Sequence, residues 1–339
     1  MKRPKDIVFI LFLTTVLFSA CKRNPLKVDL SKVKTEVEVV RFDDRLLNFD
    51  GKDTLATITE LSNIYPDFFD LFTYRIIQIG GIGNDNFPDL MKLFITDTLI
   101  QDVKIKTDSV FSDRDKIEQQ IVKAFKYYSY HFPKKELPKV YTYISGFNQS
   151  VVTAENIVGV SLDKYLGRDC SYYRHLNTTP HYKILNMRKE RMIPEMVYAW
   201  GISEFEDPTS ATNVLDNILQ KGKMMYLVDA MLPTTPDSLK IGYTTDQINW
   251  CKMNEVAMWT YLIENKMLYS NKRMDIIRYV NDAPSTSGFP VESPGRTGVW
   301  IGWQIVRQYM KKHPEITLEE LMKNKEYQQI LNESEYDPE

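Results

Sequence analysis

The tightest constraint on this chain is a short apolar run at its start. Met1-Lys2-Arg3-Pro4-Lys5 is basic, and Ile7 to Phe18 follows as an apolar segment interrupted only by two threonines. A membrane-spanning helix needs about 20 apolar residues. This run therefore reads as the core of a signal peptide and not as a stable anchor. No later stretch approaches such a length, so the remainder has to bury its apolar surface in a core of its own. The 339 residues, 43% hydrophobic and 26% charged, are ample for that and exclude a largely disordered chain. With 43 Lys plus Arg against 45 Asp plus Glu, the net charge of -2 offers no basic face for nucleic acid. Three cysteines are too few for a disulfide scaffold or a cysteine-based structural zinc site.

The run ends in Leu17-Phe18-Ser19-Ala20-Cys21. Small residues before a cysteine resemble the bacterial lipobox, in which Cys21 is acylated and becomes the mature N-terminus. Acyl chains at ~0.8 kcal/mol per buried CH2 would then make a lasting membrane attachment. Cleavage after Ala20 with a free Cys21 is the alternative, and would give a soluble secreted protein. The expected organisation is a signal peptide over 1–20, a lipidated cysteine with a polar tether over 21–34, and one globular domain over 35–339. Cys170 and Cys251 stay in the mature chain and could pair in an oxidising compartment.

Along the domain, Val37 to Phe42 is rich in β-branched residues and reads as a strand. Leu55, Ile58, Leu61 and Ile64 space a helix over Thr54 to Ile64. Aromatic-rich Asp67 to Ile79 reads as a buried helix, and Gly80 to Asn86 as a loop. Ile117, Ile121, Ala124, Phe125 and Tyr128 form one stripe of a helix over Ser112 to Tyr130. Lys139 to Ile144 alternates like a strand, and Gln149 to Thr153 with Asn156 to Leu162 reads as a hairpin. Further helices are expected over Arg188–Phe205, Ala211–Met231, Thr245–Asn265, Thr297–Lys312 and Thr317–Asn332. The last of these opens on the capping-box pattern Thr317-x-x-Glu320. The fold class is α+β, mainly helical with a small antiparallel sheet.

A hairpin, then a helix carrying Ile193-Pro194-Glu195-Met196-Val197-Tyr198, then a helix carrying Asn254-Glu255, resembles the order of elements in zincin-type metallopeptidases. Those enzymes need two imidazoles one helical turn apart with a glutamate after the first. The matching positions here hold Pro194, Glu195 and Tyr198, with Glu255 where a glutamate ligand would stand. Proline cannot ligate a metal, and a phenol is a poor zinc ligand near neutral pH. The four histidines, His131, His175, His181 and His313, include no pair at helical spacing. Neither a metal nor another cofactor is expected, and the architecture reads as a degenerate zincin. A simpler account makes Pro194-Glu195 the start of a helix, proline at its first position and glutamate at its positive end. Glu195, Tyr198, Asn254, Glu255 and Arg296 are the candidates for lining a remnant cleft. Arg296 could pair with one of the glutamates.

Several segments together resemble the GldB family of gliding-motility lipoproteins. They are the lipobox, Val39-Val40-Arg41-Phe42-Asp43, Tyr143-Ile144-Ser145-Gly146-Phe147-Asn148, Ile193-Pro194-Glu195-Met196-Val197 and Glu292 to Gly302. In the last, Gly298 and Gly302 share a helix face that would admit a neighbouring helix closely, with Trp300, Trp303 and Ile305 supplying bulk. The resemblance implies a non-enzymatic envelope lipoprotein of Bacteroidetes, held in the outer membrane by lipid on Cys21. Basic Lys22-Arg23, where surface-exported lipoproteins of that group are acidic, implies that it faces the periplasm. Its partners would be envelope proteins of the gliding and type IX secretion machinery, without nucleic acid. The alternative is a divergent hydrolase using Glu195 and Glu255.

Overall fold

The computed structural model describes residues 24–34, 36–48, 54–176 and 179–338. The expected signal peptide and Cys21 lie outside the described residues. Strand β1 (Val39–Arg41) leads into helix α1 (Phe42–Leu47), and α2 (Thr54–Ile64) and α3 (Pro66–Asp70) follow. A π-helical turn over Leu71–Ile76 continues α3. Then come α4 (Phe87–Thr96), α5 (Thr98–Val110) and α6 (Arg114–His131). The strands β2 (Lys139–Tyr143), β3 (Val151–Ala154) and β4 (Ile157–Ser161) come next. The rest is helical: α7 (His181–Ile184), α8 (Lys189–Phe205), α9 (Val214–Met231), α10 (Asp237–Ile241), α11 (Thr245–Met253) and α12 (Glu255–Glu264). It closes with α13 (Arg273–Val280), α14 (Thr297–Lys312), α15 (Leu318–Lys323) and α16 (Tyr327–Ser334).

The architecture is α+β, but its sheet is mixed instead of antiparallel. The order is β1-β2-β4-β3, with β1 and β4 both parallel to β2 and only the β3–β4 hairpin antiparallel. Six helices separate β1 from β2, which makes their connection a crossover, and crossovers produce parallel pairs. The hairpin then puts its second strand beside β2, in the same direction. Central β4 is buried along its whole length and β2 along all but Lys139. Such two-sided burial removes the alternation that reports strand direction in sequence. Phe68 of α3 stacks on Tyr141 of β2 with ring centroids 4.0 Å apart, which packs α3 against the sheet.

Behind the sheet, α9 and α14 form the seam of the helical body. A Cβ on Gly302 would lie 1.8 Å from the Ile218 carbonyl oxygen, and one on Gly222 would lie 2.3 Å from the Gly302 carbonyl. The expected small-residue face is therefore real, and α9 is the helix it admits. Trp300, Trp303 and Ile305 are buried on the same helix.

Three expected elements differ in detail. The helix over 245–265 is two helices, because the Asn254 side chain donates to the Trp250 carbonyl at 2.8 Å and the backbone turns there. The last helix is also divided, between Lys323 and Tyr327, where Asn324 Oδ1 takes the amide of Glu326 at 2.8 Å. The segment expected to be a polar tether lies on the domain instead. Leu26, Val28 and Leu30 are half-buried against the core, and Asn24 Nδ2 donates to the Pro233 carbonyl at 2.9 Å.

Candidate functional site

Helix α8 carries the first two candidate residues. It opens at Lys189, five residues before Pro194, so Pro194 is inside the helix and not at its start. The missing proline N–H leaves the Glu190 carbonyl without its helical donor. Glu190 is exposed, so water can take that role. Glu190, and not Glu195, is the acidic residue of the first turn.

Glu195 Oε1 accepts from Ser150 Oγ at 2.8 Å. One turn earlier, Arg191 is only 5% exposed and donates through Nη1 to the Leu239 and Lys240 carbonyls at 2.8 and 2.9 Å. Burial pulls the Arg191 pKa down while Glu195 opposes that shift. Burial, with Glu195 beside it, drives the Tyr165 hydroxyl far up, and burial also raises that of Tyr198. Arg296 pairs through Nε with Asp282 at 3.2 Å and donates to the Ile241 carbonyl. Burial opposes its charge, but Asp282, with Tyr243, Tyr198 and Glu195 beyond it, holds the guanidinium charged. Glu195, Tyr198 and Arg296 thus share one electrostatic neighbourhood. The direct ion-pair partner of Arg296 is Asp282 and neither glutamate.

Asn254 and Glu255 belong to a different one. The Glu255 carboxylate accepts from the Tyr336 hydroxyl at 2.6 Å and from Trp300 Nε1 at 3.4 Å. Asn254 joins α11 to α12. Among the described residues no hydrogen bond or ion pair links the partners of Glu195 to those of Glu255. The two carboxylates do not share a set of contacts as an acid–base pair would.

A cavity of about 540 Å³ lies on the Arg296 side, lined by Arg168, Tyr182, Arg188, Thr244, Asp282 and Arg296, among others. Arg188 and Arg296 are the N-cap residues of α8 and α14, and neither side chain caps its helix. An N-cap normally presents an oxygen to the first-turn amides, and a guanidinium has none. Arg296 is moreover held at φ 51°, a conformation that L-residues other than glycine seldom take. Arg168 leans on Asp169 at 3.6 Å. Arg188 has no carboxylate or carbonyl partner among the described residues, and its buried Nε is unsatisfied. Glu190, Asp246 and Asp282 add negative charge to the lining. A free guanidinium beside a paired one suits a carboxylate or phosphate, which takes the planar fork through two parallel hydrogen bonds. Arg188 was not evident as a site residue in sequence. The available signal was an arginine where a helix N-cap calls for Ser, Thr, Asp or Asn.

Carboxylates also converge beside β1, at the opposite edge of the sheet from β3, where oxygens of Asp43, Asp44 and Asp108 lie within 4.8 Å of one another. Cations already occupy that space. Lys104 reaches Asp44 at 3.0 Å and Asp108 at 2.6 Å, and Arg114 reaches Asp43 at 2.8 Å and Asp108 at 2.7 Å. The cluster is an ion-pair network and gives a metal no vacant set of donors. Burial pulls the His131 pKa down to about 4, so that imidazole is neutral at pH 7. Cys170 and Cys251 are separate buried thiols and form no disulfide, and burial pushes the Cys251 thiol up.

The segments behind the family resemblance have distinct structural jobs. Val39 to Asp43 runs from β1 into α1 and ends on the buried Asp43, which accepts from Thr142 Oγ1 at 2.6 Å. Tyr143 to Asn148 wraps the buried carboxylate of Asp163, which takes the amides of Ser145 and Phe147 at 3.1 and 2.7 Å. Gly146 and Phe147 both adopt positive φ to make that wrap. Ser161, the last residue of β4, supports it by donating to Ser145 Oγ at 2.9 Å.

No curated protein and no solved structure matches the chain. The zincin likeness therefore rests on element order alone. The model of the family described as gliding motility protein GldB matches residues 23–338, and with nearly the whole chain covered the protein belongs to that family.

Proposed function

We propose that this GldB-family protein is a non-catalytic envelope lipoprotein, acylated on Cys21 and facing the periplasm from the outer membrane. It works in gliding motility and type IX secretion-type machinery by binding another envelope protein. The observation that carries the reading is the unpartnered guanidinium of Arg188 on an arginine-lined cavity. Binding there needs a partner's acidic side chain or C-terminal carboxylate and no chemistry. The polar groups around Glu195 support the same reading. Ser150 donates to that carboxylate and the buried Arg191 charge lies near it, which suits a positioning role.

The test is photo-crosslinking in living cells from Asp246, an exposed residue on the cavity lining. A discrete adduct that disappears with Arg188→Glu and persists with Glu195→Gln is the expected result. An adduct indifferent to Arg188 would defeat the contact assignment. Chelator-sensitive cleavage of casein by the purified protein, lost in Glu195→Gln, would defeat the non-catalytic one.

A further inference from the structure

The N-terminal segment is docked on the domain from Asn24 onward. Asn24 is tied to the Pro233 carbonyl at 2.9 Å, and its own Oδ1 accepts the Leu26 amide at 3.0 Å. Leu26, Val28 and Leu30 then anchor the following residues on the core, while Lys27 and Asp29 face outward. The segment opens on a turn closed by the Lys27 amide on the Asn24 carbonyl at 3.0 Å, and every second side chain from Leu26 to Leu30 is turned to the core. Only Lys22 and Arg23 separate Cys21 from Asn24, so the acylated residue lies within about 10 Å of the Asn24 Cα even with that chain fully extended. The polar zone of a bilayer leaflet is about 5–8 Å thick. Had 21–34 been a free tether, it could have spanned about 45 Å. The docked segment therefore removes the stand-off that a linker of this length would give.

We propose that the face around Pro233 rests on the phospholipid headgroups that surround the protein's own lipid anchor. This inference depends on acylation of Cys21, as proposed above. The face is marked by a groove of about 590 Å³ beside Pro233, lined by Lys116, Lys123, Tyr127, Lys189 and Pro236, among others. Lys116 and Lys123 are exposed two turns apart on α6, and Lys189 is paired with Asp113. Asp113 and Glu190 also line the groove, so its charge is mildly basic. Pro233 follows the C-terminus of α9, a helix of 18 residues and therefore about 27 Å long. At its other end Val214 N donates to the Ser270 carbonyl at 3.0 Å, which puts Ser270 about one helix length away from Pro233. The arginine-lined cavity shares Pro236, Leu239 and Glu190 with the groove. A partner bound at Arg188 would thus be met close to the membrane surface.

The experiment uses lipidated full-length protein purified from membranes and reconstituted in vesicles of phosphatidylethanolamine and phosphatidylglycerol carrying a headgroup nitroxide. A fluorophore is placed on Thr234→Cys or, separately, on Lys272→Cys; both positions are exposed, whereas Cys170 and Cys251 are buried. Loss of most of the emission at position 234 and little at 272 is expected. Equal quenching at both, or stronger quenching at 272, would overturn the orientation. Adding Leu26→Asp with Leu30→Asp should undock the segment, so that the protein still floats with vesicles while position 234 recovers its emission. Unchanged quenching in that variant would overturn the role of the docked segment. Failure of the unsubstituted protein to float with vesicles would instead refute the lipid anchor, and the orientation would fall with it.

Discussion

Two charged regions of this molecule use arginine in opposite ways. In the helical body, the buried carboxylate of Asp229 takes Lys240 Nζ at 2.7 Å, Arg307 through Nε and Nη2 at 2.7 and 2.8 Å, and Trp303 Nε1 at 2.8 Å. Arg307 reaches Asp237 as well, at 2.7 Å, and its guanidinium lies 3.8 Å from the centre of the Trp303 ring. Both oxygens of Asp229 and all three nitrogens of Arg307 have partners. At the cavity, Arg296 is paired with Asp282, but among the described residues Arg188 is not paired. Charge density does not distinguish the two regions, since both are rich in ions. Satisfaction does. A closed network has spent its hydrogen bonds on holding helices together, whereas an open guanidinium keeps its own for a ligand.

The sharpest way to break this comparison is Asp229→Ala. It strands Lys240 and Arg307 in a buried site and should cost about 3–5 kcal/mol in denaturant unfolding. A loss below about 1 kcal/mol would mean that the network is not closed. Next in size is Gly302→Ala, whose added Cβ would force α9 and α14 apart; about 3 kcal/mol is expected, at the upper end of the range for overpacking. A third variant probes a buried ionisable group that stands outside both networks. The folded pKa of His131 is depressed from 6.5 to about 4 by burial, so the unfolded chain binds more protons between those values. That contribution to stability is present above pH 6.5 and is lost as pH falls toward 4, by roughly 3 kcal/mol. His131→Gln should flatten the corresponding part of the pH–stability curve, and an unchanged slope would contradict it. The smallest stability effect belongs to Arg188→Glu, within about 0.5 kcal/mol, because no bond in the fold depends on that side chain.

The sequence made one of these regions far more legible than the other. Periodicity and caps set the bounds of Thr54–Ile64 and Thr297–Lys312 as the structure has them, and the Thr317–Glu320 capping box forms. Gly298 and Gly302 announced a close helix neighbour because small residues at helical spacing have few other uses. Strand direction was not legible, since β2 and β4 are buried on both faces and carry no alternation. Pro194 misled because a proline close to a helix start and one a turn further in look alike until the N-cap is known. The docked segment was hidden by its lysines, which point outward while Leu26, Val28 and Leu30 grip the core. Of the five residues chosen for a remnant cleft, three fall in one neighbourhood and two in another. The contacts that separate them come from Ser150, Tyr336 and Asp282, all distant in sequence. Arg188 has no motif at all; only its lack of a partner singles it out, and that is a property of the fold.

The central claim is that the arginine-lined cavity serves binding while the Asp229 network serves the fold. The most direct measurement follows gliding, or secretion in a host that does not glide, in cells whose only copy carries Arg188→Glu. It is paired with the thermal midpoint of the same purified variant. The account predicts an unchanged midpoint and an unchanged amount of protein in the membrane fraction, with gliding or secretion lost. Full activity in cells producing that variant at normal levels would contradict it.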